Sequence, residues 1–312
     1  MDRGGPSAIL LAGGDGTRLR ALTRALTGDD RPKQFCAVLG EDTLLDQTRR
    51  RVRMSIDPAR TLTVVTRSHE RYYRTALAGV PPSLTVVQPE NRGTAPAIVY
   101  ALLRLQALAP DGPVALFPSD HHFSDDRVFM WHVEQALELV AARPHATVLL
   151  GIEADRPETE YGWIEPGEPL AGVAVPAYGV RGFREKPDRA TAETLLAGGG
   201  VWNSFVIVGH PATLLGLCAR ATPALLEAFA PLRPRLTTPW EAGCAAAVYG
   251  ALAPVDFSKA VLTRRAVELA VLPVIGVTWS DLGEPGRVAT VRRQLTGDRV
   301  PAAAALRVAA TS

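Results

Sequence analysis

The chain has 312 residues, 47% of them hydrophobic and 21% charged, which is ordinary globular material. Lys and Arg total 34 against 32 Asp and Glu, a net charge of +2. That balance argues against a dedicated nucleic-acid binder, while a few local cations still suffice for a small anionic ligand. Cys36, Cys218 and Cys244 form no CxxC pair and no zinc-ligand cluster, so they read as thiols of a reducing compartment.

In chain order, 8–11 reads as a strand, 44–52 as a helix, 61–66 as a strand, 71–78 as a helix and 84–87 as extended. A helix over 95–108, a buried strand over 114–117, a helix over 128–142 and a strand over 147–151 follow. This alternation predicts an α/β fold: a Rossmann-like, mostly parallel sheet flanked by helices. After Gly151 the rhythm changes. Segments 161–164, 178–183 and 202–208 read as strands with less helix between them, an antiparallel extension of the same sheet. Helices are expected over 211–228 and 240–251, and a strand over 271–277. Residues 1–290 are expected to form one domain, with 291–312 a short, alanine-rich arm. The apolar run near the N-terminus is too short for a signal segment, and no apolar stretch approaches a membrane span, so a cytoplasmic location is expected.

The sharpest signal is Leu11-Ala12-Gly13-Gly14-Asp15-Gly16-Thr17-Arg18, followed by Arg31-Pro32-Lys33-Gln34-Phe35. Glycines directly after a strand let the backbone turn tightly and present N–H groups to phosphate oxygens. Arg18 adds a planar fork suited to phosphate, and Lys33 a mobile point charge for a second one. A dinucleotide fingerprint would need a third glycine where Leu19 stands. A Walker loop would need a Gly-Lys-Ser/Thr ending, which this loop lacks.

AGGDGTRL followed by RPKQF resembles the signature of the sugar nucleotidyltransferases, and Gln34-Phe35 resembles their mannose-1-phosphate guanylyltransferase branch. The resemblance runs from about residue 7 to 290 through several ordered motifs. It implies a nucleotidyltransferase fold of the GT-A type, in which Leu11, Ala12, Gly13, Gly14, Gly16 and Thr17 wrap the nucleotide while Arg18 and Lys33 bind its phosphates. Gln88-Pro89-Glu90-Asn91-Arg92-Gly93-Thr94-Ala95-Pro96 is similar to the family's nucleotide-contacting stretch, with Gly93 at an Asn position. Gln88, Arg92 and Thr94 are carried over as nucleotide contacts. Thr94 and Pro96 also suit a helix start.

Pro118-Ser119-Asp120-His121 follows a buried strand, where a carboxylate reaches the ligand crevice and suits Mg²⁺. The family has a metal-binding Asp there, and a second in the motif matched by Trp279-Ser280-Asp281-Leu282-Gly283. The resemblance therefore implies Mg²⁺ on Asp120 and Asp281, with His121 in a supporting place. Tyr161-Gly162-Trp163-Ile164 resembles the strand beneath the sugar. Phe183-Arg184-Glu185-Lys186-Pro187 resembles the motif whose Glu accepts sugar hydroxyls and whose Lys holds the sugar phosphate. Asn203 matches a sugar-contacting Asn. Asp256 lies near a family Asp, but the Glu that follows in that pattern is Thr263 here, so Asp256 is left outside the site.

The implied reaction is GMP transfer from GTP to mannose 1-phosphate, giving GDP-mannose and pyrophosphate, with Mg²⁺ and no organic cofactor. Arg18, Lys33 and Lys186 are the expected catalytic cations. Another nucleotide and sugar pair, or a silent regulatory homologue, is the alternative. GTP and mannose 1-phosphate are the expected partners, nucleic acid and membrane are not, and a homodimer is allowed. Where the family pattern usually has Gly after Trp202-Asn203-Ser204, this chain has Phe205. Barring a bulge, strand alternation puts Phe205 on the face of Asn203, as an apolar wall of the sugar pocket.

Overall fold

The computed structural model describes residues 4–108 and 111–296. The elements run β1 (Ser7–Leu11), α1 (Arg20–Thr27), α2 (Leu44–Val52), β2 (Thr61–Thr66), α3 (Glu70–Ala76), β3 (Thr85–Gln88), α4 (Thr94–Leu108) and β4 (Val114–Pro118) through the first third. Strands β3, β2, β1 and β4 lie side by side and parallel. Ala8, Ile9 and Leu10 of β1 are fully buried because helices cover both faces. Helix α4 is buried almost all round, as its unbroken apolar sequence requires.

The chain continues through β5 (His122–Phe123), α5 (Asp126–Ala142), β6 (Thr147–Glu153), β7 (Gly162–Pro169), β8 (Tyr178–Glu185), α6 (Arg189–Ala197) and β9 (Val201–Gly209). It ends its described part with α7 (Pro211–Ala221), α8 (Pro223–Ala228), α9 (Glu241–Ala251), β10 (Ala270–Val274), β11 (Trp279–Ser280) and α10 (Pro285–Thr296). Strand β9 inserts antiparallel between β4 and β6, completing a nine-stranded sheet of order β3-β2-β1-β4-β9-β6-β10-β8-β7. Strand β7 also pairs with the start of β9, so the last five strands close on themselves. The expected parallel half and antiparallel extension are both present.

The expected helix over 211–228 is two helices, broken at Thr222. Pro223 disfavours helical geometry at the residue before it, and Thr222 sits at φ −142°, ψ 65°. Helices α1 and α6 went unread because they bury so little: Thr23 in one, Ala192 and Leu195 in the other. The expected boundary at 290 falls inside α10, whose Val288 and Val291 pack with Leu19, Val38, Leu44 and Leu282. The rest of the alanine-rich arm lies outside the described residues. Among them no single helix is long and apolar enough to cross a membrane.

Candidate active site

The glycine loop leaves β1 with its carbonyls already engaged. Ser119 Oγ donates to Leu11 O (2.8 Å), Gln34 Nε2 to Ala12 O (2.9 Å) and Gly14 O (2.8 Å), and Thr66 Oγ1 to Gly13 O (2.8 Å). With the carbonyls tied down, the N–H groups of Gly13 and Gly14 find no partner among the described residues and are the donors available to an anion. Gly16 sits at φ 60°, where a side chain would be strained, and Thr17 opens the short turn that carries Arg18. A Cβ on Gly13 would stand 2.3 Å from Gln88 Nε2. Asp15 ties the loop to its surroundings through His69 (3.2 Å) and Asn91 (2.8 Å).

Beside the loop lies a cleft of about 400 Å³. Of the residues expected from sequence, Leu11, Gly13, Gly14, Arg18, Gln88, Thr94, Asp120, Gly162, Glu185, Lys186, Asn203 and Asp281 line it. Ala12, Gly16, Thr17, Lys33 and Arg92 do not line it. The Arg92 guanidinium donates to Tyr249 O (3.2 Å) and Glu90 (3.1 Å). The Thr94 hydroxyl does not cap its own helix; it accepts from Phe257 N (2.8 Å) and anchors a distant segment. Gln88 is buried beneath the loop, with Oε1 accepting from Tyr249 OH (3.2 Å).

Two acids far apart in the chain meet because β5 and β11 pair, Trp279 opposite Phe123 and Ser280 opposite His122. Asp120 and Asp281 stand at the ends of this small ladder. Lys33, expected at a phosphate, is buried against them: Nζ lies 3.4 Å from Asp120 Oδ2 and donates to Asp281 O (2.5 Å) and Leu282 O (3.2 Å). Its first role is therefore to hold the two acidic loops together. The Asp281 carboxylate accepts from Gly283 N (2.8 Å) and Arg287 Nη1 (2.8 Å). Burial opposes its ionisation, but His121, Arg287 and Lys33 outweigh that, and its pKa lies below the ordinary value. Arg287 also reaches Glu158 (3.2 Å) and stacks over Tyr161 (4.4 Å). His121 packs edge-on to Trp279, 3.8 Å from Asp120, and burial lowers its pKa.

The donor chemistry suits Mg²⁺. That ion takes hard oxygens and usually one or two carboxylates, its remaining positions going to water and substrate phosphate. Among the described residues no group of three or more His, Cys, Asp or Glu is placed to hold a metal ion.

Next to the acids, Lys186 Nζ lies 2.9 Å and Arg18 Nη1 3.6 Å from the same oxygen of Glu160. Lys186 and then Arg18 hold the Glu160 carboxyl below its usual range. These side chains are two-fifths or more exposed, and such pairs contribute at most ~1 kcal/mol. A multiply charged phosphate can displace Glu160 from both cations.

The far end of the cleft is antiparallel. Gly162 pairs with Glu185 across β7 and β8, and Trp163 with Trp202 across β7 and β9. A Cβ on Gly162 would lie 2.9 Å from Glu185 Oε2, 3.1 Å from Phe183 Cζ and 3.3 Å from Asn203 Cβ, so a side chain here would push the Glu185 carboxylate aside and crowd the Phe183 ring. Burial and then nearby Asp256 raise the Glu185 pKa. Asp256, left outside the site on sequence, lines the cleft with Ser258. Glu160, Tyr161 and Asn91 also line it, and Arg287 braces Asp281 from behind. Asn91 and Tyr161 stand inside motifs that resemble the family's, and Asp256 lies near a family Asp; Arg287 has no such signal.

The Nucleotidyl transferase family profile matches residues 7–296. The chain belongs to that family. Over 298 residues it is 32% identical to the xanthan biosynthesis protein XanB of Xanthomonas campestris pv. campestris (strain ATCC 33913), covering 92% of this chain and 59% of XanB. It is 32% identical over 227 residues to the mannose-1-phosphate guanylyltransferase of Escherichia coli K12, covering 70% and 46% of the two chains. The chain thus spans about half the length of these relatives. The crystal structure of mannose-1-phosphate geranyltransferase from Thermus thermophilus superimposes with a TM-score of 0.76 at 30% identity, covering 89% of this chain and 76% of that one.

Proposed function

We propose that the chain transfers GMP from GTP to mannose 1-phosphate. What carries the reading is that Asp120 and Asp281, just beyond the ends of the small ladder, line one cleft together with Gly13 and Gly14 of the glycine loop and with Gly162, Glu185 and Asn203. A phosphate oxygen of the sugar 1-phosphate attacks the α-phosphorus of GTP; the bond from that phosphorus to the oxygen bridging it to the β-phosphorus breaks, and pyrophosphate leaves. The attacking oxygen is already ionised, so no general base is required, and rate comes from alignment and charge neutralisation. Lys186, released from Glu160, holds the sugar phosphate. Arg18, released from the same carboxylate, meets the departing pyrophosphate. The N–H groups of Gly13 and Gly14 cradle the nucleotide phosphates. Lys33 and Arg287 hold the two acids in place. When bound on Asp120 and Asp281, Mg²⁺ would neutralise charge on the phosphate oxygens.

The test is a matrix of nucleoside triphosphates against sugar 1-phosphates, read as pyrophosphate release. GTP with mannose 1-phosphate is expected to give the highest kcat/KM. A clear preference for UTP or dTTP would overturn the guanylyl assignment.

A further inference from the structure

Phe205 has a backbone that an aromatic residue seldom adopts. It sits at φ 60° inside β9, where the register with β6 slips: Leu149 faces Ile207, but Gly151 faces Asn203. The left-handed region is costly for any residue with a Cβ and nearly free for glycine. Such strain persists only where the surroundings fix it, and it gathers at functional sites. Here the fixing is visible. Phe205 N donates to Asn203 Oδ1 (3.1 Å), and Ser204 Oγ donates to Leu150 O (2.6 Å) while accepting from Val206 N (3.1 Å). The ring meets Phe257 edge-on at 6.2 Å and stays half-buried, lining the cleft beside Asn203 and Glu185.

The segment that receives the ring is itself held close. A Cβ on Gly93 would lie 2.5 Å from Val255 O, so an Asn there would collide with it. The two departures from the family pattern, Gly93 and Phe205, therefore touch the same short segment. That segment is pinned to the start of α4 by Val255 N to Arg92 O (2.9 Å) and Ala95 N to Val255 O (3.0 Å). A wall pinned on both sides cannot retreat from a larger ligand.

We propose that Phe205 is a specificity-determining residue, closing the sugar end of the cleft so that it admits an unsubstituted hexose 1-phosphate and rejects an acetamidohexose 1-phosphate. The inference rests on the proposed sugar end being the Gly162, Glu185, Asn203 trio. Bulk at Phe205 fills space that glycine would leave open, and an acetamido group needs such space.

The experiment compares kcat/KM for the best hexose 1-phosphate with that for its acetamido counterpart, using whichever nucleotide the enzyme prefers. Wild type is expected to favour the hexose by a hundredfold or more. Phe205→Gly and Phe205→Asn both suit a positive φ, and each is expected to narrow that preference at least tenfold while the nucleotide KM stays unchanged. A wild-type enzyme that uses both sugars equally overturns the proposal without any variant. So does a folded variant, checked by its melting curve, whose preference is unmoved. A different best nucleotide or hexose would overturn the guanylyl and mannose assignment but leave this ratio, and the proposal, intact.

Discussion

The two halves of the cleft are held in shape by different means. On the proposed nucleotide side the loop carbonyls are caught by Gln34, Thr66 and Ser119, and the positive-φ positions, Gly16 and Gly93, are glycines. That side is relaxed and preorganised. On the sugar and acid side the left-handed positions belong to Lys186, Phe205 and Leu282, three of the four non-glycine cases among the described residues. Each is strained and each adjoins a residue expected to touch substrate or metal. A relaxed cradle suits the triphosphate proposed for it. The proposed sugar pocket, which must discriminate, is built from side chains forced into place.

The comparison breaks most directly at the acids shared by both halves. Asp281→Asn is expected to cost ~10²-fold or more in kcat, the scale of losing a catalytic charge, in a protein that stays folded but melts lower for want of the Arg287 ion pair. It should also weaken Mn²⁺ binding followed by electron paramagnetic resonance, used as a stand-in for Mg²⁺. Near-normal turnover at low Mg²⁺ would take Asp281 out of the reaction.

On the sugar side, Lys186→Ala is expected to raise the KM for sugar 1-phosphate by ~10-fold or more, while the nucleotide KM shifts far less. Equal losses on both substrates would erase the division between the halves. On the proposed nucleotide side, Gln34→Ala strands the buried Ala12 carbonyl, which costs about 1–3 kcal/mol, and frees that of the exposed Gly14. The nucleotide KM should rise about tenfold and the sugar KM should hold; the reverse pattern would show that the loop is not held from below.

The smallest effect is expected at Glu160. Glu160→Gln removes a carboxylate that competes for Lys186 and Arg18, so the KM for sugar 1-phosphate should fall by about two- to fivefold at low salt, in keeping with an exposed pair worth ~0.2–1 kcal/mol. The change should fade at high ionic strength. A raised KM would mean that Glu160 holds Lys186 ready rather than blocking it.

The sequence by itself determined the parallel half of the sheet and the nucleotide loop. Both are local. An apolar strand and the glycine turn that ends it are written in consecutive residues, and 61–66 and 44–52 match β2 and α2 in both limits. It also supplied, through ordered motifs, most of the residues that line the cleft. Only the tertiary structure decided what those residues do to one another. Lys33 faces Asp120 because the β5–β11 ladder, too short to show any periodicity, brings residues near 120 and 280 together. Arg92 turns to Tyr249 because α9 packs beside β3. Asp256 reaches Glu185 because Gly93 and Thr94 pin its segment across the start of α4. Phe205 shares the Asn203 cleft through a bulge rather than through plain strand alternation. Each of these outcomes depends on a contact across the chain, where charge, burial and room for one Cβ are set by partners that no local stretch of sequence contains.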